Sequence, residues 1–293
     1  MTLITRFAPS PTGPLHLGHA YSALRAYDLA QSAGGVFLLR IEDIDLSRAR
    51  PAWEAQIYED LSWLGVSWPE PVMRQSDRRA AYSDTLDHLW ARGLLYPCAC
   101  RRADIAAAAS APQEGVSLGP DGIVYPGTCR PFTPITGPRP QHIPLRLDMR
   151  RACDHAGLQV ADDLITFTEK GAGPQGETGR ITLTRNMLVH EVGDVILSRR
   201  DMATSYHLSV VVDDADQGIT DVVRGEDLFE ATGIHVILQR LLDLHTPVYR
   251  HHPLVRDATG KRLAKRDDAR AIHLFRTEGA SPAEIRKMVG LAP

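Results

Sequence analysis

Residues 36–45, VFLLRIEDID, are apolar without polar alternation until a charged end. A strand that is buried on both faces reads this way, and such strands belong to parallel sheets. Upstream, TLITRFA predicts a short strand. A helix then starts at Leu17, with Leu17, Tyr21 and Leu24 on one face, and Gly34-Gly35 stops it. Downstream, a helix follows Pro51 with Trp53, Ile57, Leu61 and Leu64 on its inner stripe, and another runs from Arg79 to Arg92 and ends at Gly93. Strand, helix, strand, helix predicts an α/β fold, a parallel sheet covered by helices.

The middle of the chain breaks this rhythm. Residues 103–123 are small, alanine-rich and interrupted by Gly and Pro, and 131–140, PFTPITGPRP, are proline-rich. LRLDM, LITFTE and RITLT are short β-prone runs between turn residues. They predict an inserted subdomain of antiparallel character over 96–190, splitting the main domain into 1–95 and 191–245, with 246–293 as a last region. DVILS (194–198), LSVVVDD (208–214) and ITDVVRGED (219–227) predict resumed strands, and TGIHVILQRLLDLH a helix capped by Thr232. RIEDID, VVVDD and VVRGED then read as three apolar strands ending in charge. Ligands of open parallel sheets bind beyond such carboxyl ends. GAGPQG (171–176) matches a dinucleotide-binding spacing, but Pro174 removes an N–H and a strand pattern follows where the fingerprint needs a helix. It predicts a hairpin loop.

Bulk properties narrow the class. The 293 residues, 43% hydrophobic and 24% charged, suit one or two globular cores. Aromatics at 6% offer no wide stacking platform, and a net charge of −3 confines any polynucleotide contact to a local patch. The N-terminus shows no secretory signal and no run suits a membrane helix, so a cytoplasmic protein without membrane contact is expected. Four cysteines are too sparse for a disulfide scaffold. Cys98-Ala-Cys100 with Cys129 points to metal, and Cys153, His142 and His155 are further donors that chemistry alone allows.

The opening loop, RFAPSPTGPLHLGH (6–19), sets prolines and glycines before a helix that begins with His16 and His19 one turn apart. A helix N-terminus offers unpaired N–H donors and partial positive charge to an anion, and two imidazoles add donors for charge developing on a phosphate. HLGH after PSPTG resembles the first signature of class I aminoacyl-tRNA synthetases, and the whole string resembles the glutamate-specific branch. That resemblance implies a Rossmann-like catalytic domain with an inserted zinc-containing subdomain. It makes the cationic stretch DATGKRLAKRDDA (257–269) a KMSKS-like loop, Arg262-Leu263-Ala264-Lys265-Arg266, with Arg262 and Ala264 departing from the family's lysine and serine.

The resemblance also implies roles. His16, Gly18, His19 and Lys265 would bind ATP, with His16, His19 and Lys265 catalytic and Mg2+ accompanying the nucleotide. Arg6, Ala8, Ser10, Glu42, Tyr206 and Arg224 would bind L-glutamate, Glu42 meeting the ammonium and Arg6, Arg224 and Tyr206 the carboxylates. Arginine suits that task because its planar fork can hold a carboxylate bidentately. The residues after Arg266 are too few for a further domain of about 50 residues or more. With CxC and YPGTC, that shortness is similar to the glutamyl-queuosine branch, which implies Tyr125 as fourth ligand of a structural Zn2+ and tRNA(Asp) carrying queuosine as partner of a monomer. A shortened synthetase charging a tRNA 3′ end, a small-molecule nucleotidyltransferase and a non-enzymatic zinc module that binds tRNA are the alternatives.

Overall fold

The computed structural model describes residues 2–109, 117–256 and 270–292. Its first third follows the expected alternation: β1 (Ile4–Phe7), α1 (Leu17–Ser32), β2 (Val36–Ile41), α2 (Pro51–Trp63), β3 (Met73–Arg74) and α3 (Arg79–Ala91). β1, β2 and β3 pair in parallel in that order. Gly34 (φ +59°) ends α1, and Gly35 lies so close to the Leu3 carbonyl that a Cβ would collide with it. The buried face of α1 is Ala20, Ala23, Leu24, Ala26 and Ala30, while Leu17 and Tyr21 stay half-buried. Alanines allow the helix to approach the sheet closely. In α2, Ile57, Leu61 and the following Leu64 are buried and Trp53 is only half-buried.

The chain continues through β4 (Leu95–Pro97), α4 (Arg102–Ala109), β5 (Leu118–Gly119), β6 (Gly122–Ile123), β7 (Leu145–Leu147), α5 (Met149–His155), β8 (Leu164–Glu169), β9 (Gly179–Thr184), α6 (Arg185–Met187) and β10 (Ile196–Ser198). These strands divide between sheets. β4, β7 and β10 form an antiparallel sheet in the order β10-β7-β4, so the DVILS strand joins the middle segment rather than a parallel sheet. β8 and β9 form the hairpin expected around GAGPQG. The alanine-rich stretch, expected to be irregular, forms α4 over its first third, since alanine is the best helix former.

The last part holds α7 (Tyr206–Asp216), β11 (Asp221–Gly225), α8 (Thr232–Leu241), β12 (Val248–His252), α9 (Ile272–Thr277) and α10 (Pro282–Met288). LSVVVDD is therefore helix, not strand. Ser205 caps it by accepting from the Leu208 amide, and every residue from His207 to Asp214 is buried. A helix buried all round has no polar face, so its periodicity cannot be told from that of a buried strand. β11 and β12 pair in parallel, and β12 takes β8 on its other side. β11 also runs beside β1, where the Thr220 amide donates to the Ile4 carbonyl at 3.0 Å. The parallel strands thus lie in the order β3-β2-β1-β11-β12-β8, which reverses direction of travel between β1 and β11.

Two main cores hold these layers. One packs α1, α2, α9 and α10 on β1 and β2; the other joins α3, α5, α7 and α8 to the antiparallel sheet. Leu86, Leu89, Leu145, Leu147 and Leu208 are fully buried in the second, and each such leucine contributes about 1.5–3 kcal/mol. No helix among the described residues is long and apolar enough to cross a membrane.

Candidate active site

In open α/β sheets a crevice opens where the strand order reverses, at the carboxyl ends of the two strands concerned. Arg6 rises from β1 and Arg224 from β11, on either side of that point. Arg6 is buried, and its Nε and one terminal nitrogen fork onto Asp214 of α7 at 3.0 and 3.3 Å. Its other terminal nitrogen donates to the Val223 carbonyl at 3.4 Å. Asp214 also accepts from Arg40 of β2 at 2.8 Å. Arg40 is fully buried and reaches Gln217 at 2.8 Å and Glu42 at 3.5 Å. Asp213, next to Asp214 and 3.8 Å from Arg40 Nε, accepts from Arg78, Gln75 and Tyr82. The two aspartates that seemed to end a strand instead fasten a buried helix to the sheet. Burial pushes the Asp214 carboxyl up, but Arg6 and Arg40 outweigh it and hold the group below the usual carboxylate range.

Glu42 follows β2, and its amide donates to the Pro9 carbonyl at 3.0 Å, tying the strand end to the loop that carries Ala8 and Ser10. Burial pushes its carboxyl up to about 7, with Arg40 and Arg6 pulling the other way. Tyr206 opens α7. Burial raises its phenol, Arg224 draws it back and Glu42 adds to the rise, so the ring lies among these charges. Arg6, Glu42, Tyr206 and Arg224 therefore converge, and Ala8 and Ser10 lie on the loop adjoining them.

Arg224 is held by protein along most of its edge. Its Nε donates to His251 at 3.0 Å, one terminal nitrogen meets His235 at 3.0 Å, and the other donates to Thr232 at 2.8 Å and the Leu228 carbonyl at 3.2 Å. Thr232 was expected to cap α8; the cap position is Ala231, and the threonine hydroxyl serves Arg224 instead. Four of the five N–H groups of an arginine are thus engaged, leaving one hydrogen bond and a full charge rather than a fork. Burial and Arg224 together hold His235 well below the ordinary imidazole range, hence neutral.

His16 and His19 meet at the start of α1. The His19 Nδ1 accepts from the His16 amide, the His16 Nδ1 accepts from the Gly18 amide, each at 3.1 Å, and the ring centroids lie 3.8 Å apart. This is a capping box built from two imidazoles. A neutral ring whose Nδ1 accepts carries its proton on Nε2, so each is set as a donor. Gly18 gives the ring its room: a Cβ there would lie 3.0 Å from His16 Cε1 and press the imidazole aside by a few tenths of an ångström. Lys265, with the rest of Arg262–Arg266, lies outside the described residues. Where the description resumes, Ala271 pairs with His16 and the Ile272 amide donates to the Leu15 carbonyl at 2.8 Å.

The cysteine cluster is a separate centre. The Sγ atoms of Cys98, Cys100 and Cys129 lie within 4.8 Å of one another, and the Tyr125 hydroxyl is 3.4 Å from both Cys98 and Cys100. A tetrahedral ion with bonds of about 2.3 Å holds its sulfurs about 3.8 Å apart, so three thiols and one phenol fit a zinc ion. Arg146 lies against the set, its Nε 3.3 Å from Cys98 Sγ and its guanidinium 3.9 Å over the Tyr125 ring. Burial raises the Cys98 thiol, yet hydrogen bonds from Tyr125 and Arg146 bring it down to about 7. Cys153 is elsewhere, buried in the second core, and neither His142 nor His155 joins the cluster.

Sequence reasoning passed over Arg40, Asp214, His235, His251 and Glu169, all buried polar residues beside the predicted site. Arg40 left a signal, an arginine inside an apolar strand. The histidines and Glu169 are scattered over the chain and left none.

The family model for tRNA synthetases class I (E and Q), catalytic domain, matches residues 2–117 and 177–292. A glutamyl-Q tRNA(Asp) synthetase of Rhodobacter capsulatus is 59% identical over 290 residues, covering 99% of this chain and 100% of the relative. The chain belongs to the glutamyl-Q tRNA(Asp) synthetase family. A Geobacter sulfurreducens member is 42% identical over 268 residues, covering 91% of this chain and 76% of its own. Among solved structures, a glutamate tRNA ligase from Elizabethkingia meningosepticum in complex with its amino acid superposes with a TM-score of 0.74 at 26% identity. That match takes in 99% of this chain and 61% of the ligase. A Mycobacterium tuberculosis methionyl-tRNA synthetase, TM-score 0.59 and 11% identity, shares the fold. The expected Rossmann-like α/β class is thereby confirmed.

Proposed function

We propose that this chain activates L-glutamate with ATP as the adenylate and transfers the glutamyl group to the queuosine base in the anticodon of tRNA(Asp). The observation that carries the reading is the convergence of Arg6, Glu42, Tyr206 and Arg224 at the crevice between β1 and β11, one loop away from the His16–His19 cap. Glutamate presents one ammonium and two carboxylates, and a site for it needs an acid and separate cationic ends. Glu42 supplies the first; Arg6 and Arg224, with the Tyr206 hydroxyl, supply the second.

The α-carboxylate is ionised at neutral pH and needs no base to attack the α-phosphate. The work of this chain is alignment and charge stabilisation. The loop from Arg6 to His19 holds the amino-acid and phosphate ends at reacting distance, and Glu42's amide fixes that loop to the sheet. The Nε2–H groups of His16 and His19 donate to phosphate oxygens as charge shifts onto pyrophosphate, and Lys265 adds positive charge. Mg2+ accompanying ATP would supply countercharge to the phosphates. In the second half-reaction a hydroxyl of the queuosine cyclopentene ring attacks the adenylate carbonyl and AMP leaves.

Cys98, Cys100, Tyr125 and Cys129 are the ligands proposed for a structural zinc, which would crosslink the segment between β4 and β7. The working molecule is proposed to be a cytoplasmic monomer. Glutamate-dependent ATP–pyrophosphate exchange in the absence of tRNA tests the activation step. Exchange with glutamate and not glutamine supports the site; no exchange with any amino acid removes it.

A further inference from the structure

The β8–β9 hairpin ends β8 in Glu169, a carboxylate only 1% exposed that, among the described residues, no lysine or arginine meets directly. Its Oε1 accepts from the amides of Gly171 and His251 at 2.7 and 2.9 Å, and its Oε2 lies 2.6 Å from His251 Nδ1. Gly171, the first glycine of GAGPQG, makes this possible, because any Cβ there would collide with the His251 carbonyl. His251, 2% exposed, lies parallel to the Tyr249 ring and edge-on to Phe229. Its Nε2 takes the Arg224 Nε–H at 3.0 Å.

The direction of every proton in this chain is settled by chemistry. Arginine has donors and no acceptor, so His251 Nε2 must be bare and Nδ1 must carry the proton, which Glu169 Oε2 receives. Glu169 thus sets the tautomer of His251, and the tautomer sets where the guanidinium can rest. We propose that Glu169 is a positioning residue for amino-acid recognition, holding Arg224 through neutral His251 in the orientation that meets the substrate carboxylate. This rests on the glutamate-binding role given to Arg224 above. It also gives the hairpin a part in the site that neither its loop motif nor its distance in sequence suggested.

A merely structural carboxylate would tolerate Glu169→Gln, because the amide oxygen can still accept from both backbone N–H groups. The relay would not tolerate it. The new NH2 faces His251 Nδ1, drives the proton to Nε2 and sets it against the Arg224 Nε–H. For E169Q the KM for glutamate is expected to rise about ten- to hundredfold, the loss of one charge-assisted hydrogen bond. The KM for ATP should stay within about twofold, since the nucleotide end is untouched. In 15N-resolved NMR the wild-type His251 should be protonated on Nδ1 and the variant's on Nε2.

A glutamate KM within about twofold of wild type, or a wild-type His251 protonated on Nε2, overturns the proposal. The wild-type tautomer is read without any variant, so that arm holds even if E169Q does not fold. A wild-type protein with no glutamate-dependent exchange but a proton on Nδ1 would remove the role of Arg224 in glutamate binding while leaving the relay in place.

Discussion

Asp214→Asn is the substitution that presses hardest on the site. The aspartate is the shared acceptor of two buried guanidiniums, with Arg6 Nε at 3.0 Å, a second Arg6 nitrogen at 3.3 Å and Arg40 at 2.8 Å. Asparagine preserves the shape, removes the charge and turns an N–H2 toward donors that cannot accept. Leaving a buried charge without its partner costs about 3–5 kcal/mol. At about 2–4 °C per kcal/mol for a chain approaching this size, the melting temperature should fall by roughly 6–20 °C. Calorimetry reads that loss, and pyrophosphate exchange should show a raised KM for glutamate as Arg6 loses its support. The acid limb should change too. A carboxyl held below its unfolded value of about 3.9 contributes stability that is present above that pH and lost as pH falls through the depressed value. D214N should therefore lose less stability than wild type on acidification. A melting temperature within about 2 °C of wild type at neutral pH, with an unchanged glutamate KM, would refute the claim that Asp214 holds the site together.

Glu42, pushed up to about 7, gives a second handle. Glutamate kcat/KM should climb as pH rises through about 7 and Glu42 ionises to meet the ammonium, and E42Q should abolish that limb; a matching limb in E42Q contradicts the assignment. The stability linkage has the opposite sign, because a raised carboxyl stabilises the fold fully below about 4.3 and loses that contribution as pH rises through its folded value. At the cysteine cluster, elemental analysis should find one zinc per chain, and Cys129→Ser should lose zinc and melt lower while adenylate formation stays within about threefold. Equal zinc content in wild type and C129S would show that the cluster is not the site.

Much of this was legible from local pattern. β2 announced itself by unbroken apolarity, α1 by its glycine stop, and the hairpin at 171–176 by Pro174 and the strand that follows it. Residues at motif positions fell where strands end: Arg6 after β1's midpoint, Glu42 beyond β2, Arg224 within β11. What stayed hidden was whatever depends on burial from every side. α7 carries no polar stripe, so Val210 to Val212 read as strand and Asp213 and Asp214 as its charged end. The segment that looked like an independent insertion shares β8 with the strand β12, a pairing across some eighty residues that no local signal encodes. His235, His251 and Glu169 are likewise ordinary in sequence, and only the fold brings them to Arg224. Thr232 looked like a cap because threonine before an apolar run usually is one, yet a buried arginine claimed its hydroxyl.

The destination of the activated glutamate separates a queuosine-modifying enzyme from one that charges a tRNA 3′ end. Labelled glutamate should be incubated with ATP, the protein and tRNA(Asp) carrying or lacking queuosine, and the labelled position mapped by nuclease digestion. Label on the queuosine-containing anticodon fragment, absent from the unmodified tRNA, is the predicted result. Label at the 3′ end of a tRNA regardless of queuosine would contradict it.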